Sequence, residues 1–146
     1  MGQVFLLYRT HVNLVFKTLV MSDLVFISPF FIVANLQDSV SFYVDKLGFG
    51  VQYIGPEEEP YFAMIGRGPV SLMLKSSGQP VPNHTRYDWA GCDAFISVTD
   101  PDALFEEYHA AGVVFSQPLL DDTDNLRGFK LTDTDGYVLF FARPKA

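Results

Sequence analysis

Residues 30–54, FFIVANLQDSVSFYVDKLGFGVQYI, and residues 95–117, FISVTDPDALFEEYHAAGVVFSQ, carry one plan twice. Sliding the first onto the second pairs Phe30 with Phe95, Val33 with Val98, Asn35 with Asp100 and Tyr43 with Tyr108. A slip of one residue then pairs Gly48 with Gly112. Each copy reads as an apolar strand, a capping residue, a short amphipathic helix, a glycine stop and another strand. Asn35 and Asp100 can accept hydrogen bonds from the free N–H groups of a helix start. Leu36, Val40, Tyr43 and Leu47 recur at helical spacing and make one apolar stripe, as do Ala103, Leu104, Tyr108 and Ala111. Pro101 suits a first helical turn, and Gly48 and Gly112 suit left-handed helix ends.

Three candidate strands follow each helix. In the first copy they are FGVQYI, YFAMIG and VSLMLKS; in the second, VVFSQPL, GFKLT and YVLFFA. Turn-forming residues separate them at 55–60, 66–69, 121–128 and 133–136. Residues 77–91, SGQPVPNHTRYDWAG, read as a linker. The expected fold is α+β: two βαβββ repeats forming one cupped mixed sheet, with the helices on its outer face. Repeat one spans 26–76 and repeat two 92–146, within a single domain at 22–146. Residues 1–21 read as an N-terminal extension.

Composition narrows the function. Across 146 residues, 49% are hydrophobic and 18% charged, which fits a packed globule. The net charge of −7 argues against nucleic acid, whose phosphates need a basic surface. Arg9, His11 and Lys17 break the apolar N-terminal stretch well below the roughly 18 residues of a membrane helix, so no membrane partner is expected. The single cysteine, Cys92, excludes an internal disulfide and a cysteine-based zinc cage, and suits a cytoplasmic location.

With VANLQDSVSFYVDKLGF (33–49), VTDPDALFEEYHAAGV (98–113) and LTDTDGYVLFFARP (131–144), the chain resembles the vicinal-oxygen-chelate superfamily. That superfamily includes glyoxalase I, bleomycin-resistance proteins, fosfomycin-resistance enzymes and extradiol dioxygenases. The resemblance implies a concave sheet face. Metal-binding members take His, Gln or Glu ligands there, from the first and last strand of each repeat. The matching positions in this chain are Ser28, Met73, Asp93 and Phe140. A neutral hydroxyl, a thioether and a phenyl ring are poor partners for a hard or borderline divalent ion, and one carboxylate cannot fix it. No metal, no cofactor and no catalytic residue is therefore expected. His11, His84 and His109 are scattered, and the acidic runs at 57–59 and 121–124 read as solvated turns.

Strand alternation then assigns the faces. The parity of Asp93 carries Phe30, Ile32, Met73, Lys75, Phe95, Ser97 and Phe140, and the opposite parity carries Phe31, Val33, Leu72, Leu74, Ile96, Val98, Leu139 and Phe141. The expected ligand-binding residues are Phe30, Ile32, Met73, Asp93, Phe95, Ser97 and Phe140, with linker Trp89 as a cover. Such a face suits a small, planar or apolar organic ligand oriented by a few polar contacts. The resemblance to the bleomycin-resistance branch implies a homodimer that sequesters a drug between subunits without chemistry, a role in antibiotic resistance. A cationic or aromatic ligand is the expected class. The competing reading is a metal-dependent glyoxalase-type lyase or isomerase, or a thiol transferase.

Overall fold

The computed structural model describes residues 22–145; the expected extension at 1–21 lies outside the described residues. The first module contains β1 (Phe30–Ile32), α1 (Leu36–Ser41), β2 (Gly50–Gly55), β3 (Phe62–Arg67) and β4 (Val70–Lys75). The second contains β5 (Ala94–Ser97), α2 (Pro101–Ala110), β6 (Phe115–Asp121), β7 (Leu126–Thr132) and β8 (Val138–Pro144). Each module forms a four-stranded mixed sheet, in the orders β1-β4-β3-β2 and β5-β8-β7-β6. The first strand runs parallel to the last, and the remaining pairs are antiparallel. Phe30 lies opposite Met73 just as Phe95 lies opposite Phe140, so the repeat holds at the level of register.

Local chemistry forms the helices as the sequence predicts. The Asn35 side chain accepts from Asp38 N–H and the Asp100 side chain from Ala103 N–H, each at 3.0 Å. Gly48 and Gly112 take φ values of 69° and 73° past the helix ends. The one-residue slip between the copies also has a structural cause. After α1 the helix widens into a π-helical turn at Phe42–Lys46, which absorbs the extra residue and keeps Tyr43 and Leu47 on the buried side. In α2 one position departs from expectation: Ala103 is exposed, and burial runs through Pro101 and Tyr108 instead. The Tyr108 ring meets Phe129 and Phe141 edge-on.

The face assignment is reproduced. Phe31, Val33, Leu72, Leu74, Ile96, Leu139 and Phe141 are buried between sheets and helices, and Val98 is half-buried. The single continuous sheet is not formed. No ladder joins β1 to β5, because side chains from the β7–β8 turn occupy the outer edge of β1. Tyr137 Oη donates to the Ile32 carbonyl at 2.7 Å, and the Ala34 N–H donates to Asp135 Oδ1 at 2.8 Å. Asp135 Oδ2 also accepts from Ser39 Oγ at 2.7 Å. The Tyr137 ring stacks on Phe31 with centroids 4.2 Å apart and planes within 4°.

The same turn buries Asp133. Its Oδ1 accepts from the N–H groups of Asp135 and Tyr137, both at 2.9 Å, and its Oδ2 from Tyr43 Oη at 2.7 Å. Burial pushes the carboxyl up to about 6, against the lowering effect of these hydrogen bonds. The folded value exceeds that of the unfolded chain, so the folded state takes up this proton first. The stability it confers is full below about pH 4 and is lost as pH rises through about 6. Asp133→Asn cannot titrate. Its stability deficit, measured by urea unfolding, is expected to shrink between about pH 4.5 and 7.5, by roughly 2 kcal/mol. An equal deficit at both pH values would contradict this account.

Candidate ligand-binding faces

The strand faces turned away from the helices carry the expected ligand-binding parity. On the first sheet, Phe30, Met73 and Met64 lie side by side across β1, β4 and β3, with Ile32, Lys75 and Phe62 in the next row. The Phe62 ring lies 6.3 Å from Phe30 and 6.0 Å from Tyr53. A bulge between Val51 and Tyr53 gives β2 an extra residue, Gln52. Its amide occupies the space over Gly66, where any Cβ would collide with it. Lys75 Nζ sits 5.7 Å from the Tyr61 ring.

On the second sheet the Phe95 and Phe140 rings meet edge-on at 5.4 Å. Lys130, opposite Phe140, places Nζ 4.9 Å from that ring. Gln117 lies opposite Lys130, and its Nε2 is buried without a hydrogen-bond partner among the described residues. A buried amide donor without an acceptor has a standing cost that a bound acceptor would remove.

The eight residues expected from sequence are placed unevenly. Phe30 and Phe95 are open, at 51% and 50% exposure. Phe140 is buried beside Phe95, while Ser97 is exposed opposite Ala142. Phe30, Ile32 and Asp93 meet around a small cavity of about 250 Å³ that Arg86 also lines. Trp89 stands away at 81% exposure, with Tyr87 as its ring neighbour. Tyr53, Phe62, Gln52, Gln117 and Lys130 escaped the sequence reading. Alternation along β3 and β7 could have found Phe62 and Lys130. The bulges in β2 and β6 hide the parity of the other three.

At the four positions that the resemblance matches to metal ligands, Met73 and Phe140 carry no hard donor and the other two side chains are engaged by the backbone. Ser28 precedes β1 rather than lying on it, and its hydroxyl turns to the Pro29 carbonyl. Asp93 Oδ1 accepts from Asn83 N–H at 2.6 Å, and Oδ2 from Val138 N–H at 2.8 Å. The carboxylate thus pins the linker to the start of β8. Among the described residues no group of three or more His, Cys, Asp or Glu side chains is placed to hold a metal ion.

Residues 24–141 match the model of the Glyoxalase/Bleomycin resistance protein/Dioxygenase superfamily. The chain belongs to this superfamily. No curated protein matches the sequence. Among solved structures, the bleomycin-binding protein of bleomycin-producing Streptomyces verticillus, in complex with copper(II)-bleomycin, is similar at a TM-score of 0.61 and 24% identity. It covers 86% of this chain and 99% of its own. TioX from Micromonospora sp. ML1 has a TM-score of 0.62 and 24% identity, over 82% of this chain and 96% of its own. TnmS3, an antibiotic-binding protein from Streptomyces sp. CB03234, has a TM-score of 0.61 and 20% identity, over 86% and 98%. At these identities the likeness is one of fold. No helix among the described residues is long and apolar enough to cross a membrane.

Asp93→Ala leaves two backbone N–H groups without acceptors. Urea unfolding is expected to show a loss of about 1–3 kcal/mol for each N–H that stays dry. A variant as stable as the parent would show that the carboxylate is not a structural clamp.

Proposed function

We propose that this chain is a metal-free binding protein that sequesters a planar aromatic ligand on its helix-free strand faces. The observation that carries the reading is the pair of open phenylalanines, Phe30 and Phe95, each backed by further apolar or aromatic side chains. Phe30 has Phe62, Tyr53, Met64 and Met73, and Phe95 has Phe140. Half-exposed rings with polar groups set among them are the usual make-up of a site that stacks a ligand and orients it through a few contacts. Gln52 and Gln117 supply those contacts, and the residues at the metal positions supply no ligand set.

Charge refines the ligand class. The net charge of −7 favours cations when the chain is taken as a whole. The two faces instead carry Lys75 and Lys130, each over an aromatic ring, and the Asp93 carboxylate is committed to backbone N–H groups. Neutral or acidic ring systems suit these faces better than a strongly cationic drug. In the same reading two copies pair over the exposed rings, so that the ligand lies between subunits. Capture of an antibiotic by its own producer or by a resistant cell is one use of such a protein.

Trp89 is the only tryptophan, so quenching of its emission reports ligands near the linker, and calorimetry reports the rest. A screen of aromatic acids, neutral polycyclic compounds and bleomycin-type glycopeptides is expected to give saturable binding with at least one class. Phe30→Ala and Phe95→Ala should each weaken it about tenfold, equivalent to about 1.4 kcal/mol. Absence of saturable binding to every class would sink the proposal. So would stoichiometric Ni, Zn, Mn or Fe in chelator-free protein that disappears in Asp93→Ala, which would favour a metal-dependent lyase or transferase.

A further inference from the structure

Tyr137 and Asp135 fill one junction between the modules, and the matching position on the second module has neither side chain. Register places Phe30 opposite Met73 and Phe95 opposite Phe140. The same alignment matches Val70 with Tyr137 and Gly68 with Asp135 in the last hairpin turns. In the first strands it matches Ile96 with Phe31, Ser97 with Ile32 and Thr99 with Ala34. On the first module, Tyr137 covers Phe31 and donates to the Ile32 carbonyl, and Asp135 accepts from Ala34 N–H. On the second module the matching turn offers only Val70 and Gly68, so neither the phenol nor the carboxylate is present. A cleft of about 600 Å³ lies there, lined by Ile96, Ser97, Thr99, Val70 and the first turn of α2.

The polar groups that Tyr137 and Asp135 satisfy on one side are left free on the other. In a parallel ladder alternate residues bond to the neighbouring strand. Val98 N–H bonds to the Ala142 carbonyl, which leaves the Ser97 carbonyl and the Thr99 N–H on the free edge of β5. Neither has a side-chain partner among the described residues, whereas both counterparts on β1 do. Tyr108, which matches Tyr43, finds no carboxylate like Asp133; its hydroxyl turns to the Leu47 carbonyl and to Arg67. Arg67 is in turn paired with Glu107 at 2.8 Å, and Asp100 caps α2. The charges on the cleft wall are therefore committed to one another or to the backbone, and the acids outnumber the base, which disfavours an anion.

We infer that this cleft is a second ligand site, separate from the helix-free faces. Its ligand is a small neutral aromatic compound carrying a hydroxyl or N–H donor and a carbonyl acceptor. The ring covers Ile96 beside Val70, the donor bonds to the Ser97 carbonyl, and the carbonyl accepts from Thr99 N–H. The ligand thus does for the second module what Tyr137 and Asp135 do for the first.

The inference is tested with N-acetyl-L-tyrosinamide, which is neutral and carries a phenol and amide carbonyls. In amide-detected NMR titrations of the full chain, the Thr99 N–H resonance is expected to shift saturably. N-acetyl-L-phenylalaninamide and anionic N-acetyl-L-tyrosine should each bind at least fivefold more weakly. Val70→Tyr supplies the missing ring from within the chain and should weaken probe binding at least tenfold. Ala103→Leu, on the exposed first turn of α2, should narrow the cleft and do the same without touching the turn. Phe30→Ala and Phe95→Ala should leave the titration unchanged, which separates this site from the one proposed above. No saturable shift at Thr99, or equal binding to the parent and both cleft variants, would overturn the inference. So would equal binding of the three probes.

Discussion

The buried hydrogen bond between Tyr43 and Asp133 joins the two modules. The Tyr43 ring is fully buried on the widened helix, and the Asp133 carboxylate is held by two backbone N–H groups of its own turn. Around this contact Asp135 and Tyr137 attach to β1 and α1. The turn therefore acts as a plug, fixing the second module on the first through one aromatic stack and several directed hydrogen bonds. Directed bonds in a dry site specify one arrangement more sharply than apolar burial alone, because a misplaced partner leaves a buried group unsatisfied. The raised proton affinity of Asp133 follows from the same burial.

The pseudo-symmetry of the chain is most informative where it fails. Tyr43 and Tyr108 match in sequence and are both buried beneath rings or sheets, yet one meets a carboxylate and the other a guanidinium. Tyr137 and Asp135 have only Val70 and Gly68 as counterparts. One junction is filled by the protein, and the other keeps an open strand edge. Two kinds of concavity result: aromatic faces on the strands, and a cleft at the module junction with backbone donors and acceptors at its wall.

Much of the helix-free face was legible because strand alternation needs only neighbouring residues. Phe30, Met73, Phe95 and Phe140 fall where parity puts them. Alternation failed at Gln52 and Gln117, where bulges shift the count, and it gave no hint that Asp93 is engaged by Asn83 and Val138. Trp89, read as a cover from its place in the linker, is exposed with Tyr87 as its ring neighbour.

The sequence by itself determined the two βαβββ modules, the helix caps, the glycine stops and the buried parity of β1, β4, β5 and β8, because each rests on chemistry within a few residues. Only the tertiary structure decided that β1 and β5 do not join into one sheet and that one junction is plugged while its counterpart is open. These outcomes rest on contacts between residues 90 and 105 positions apart, Tyr43 with Asp133 and Ile32 with Tyr137. No local periodicity records which partner a free strand edge will find at that distance along the chain.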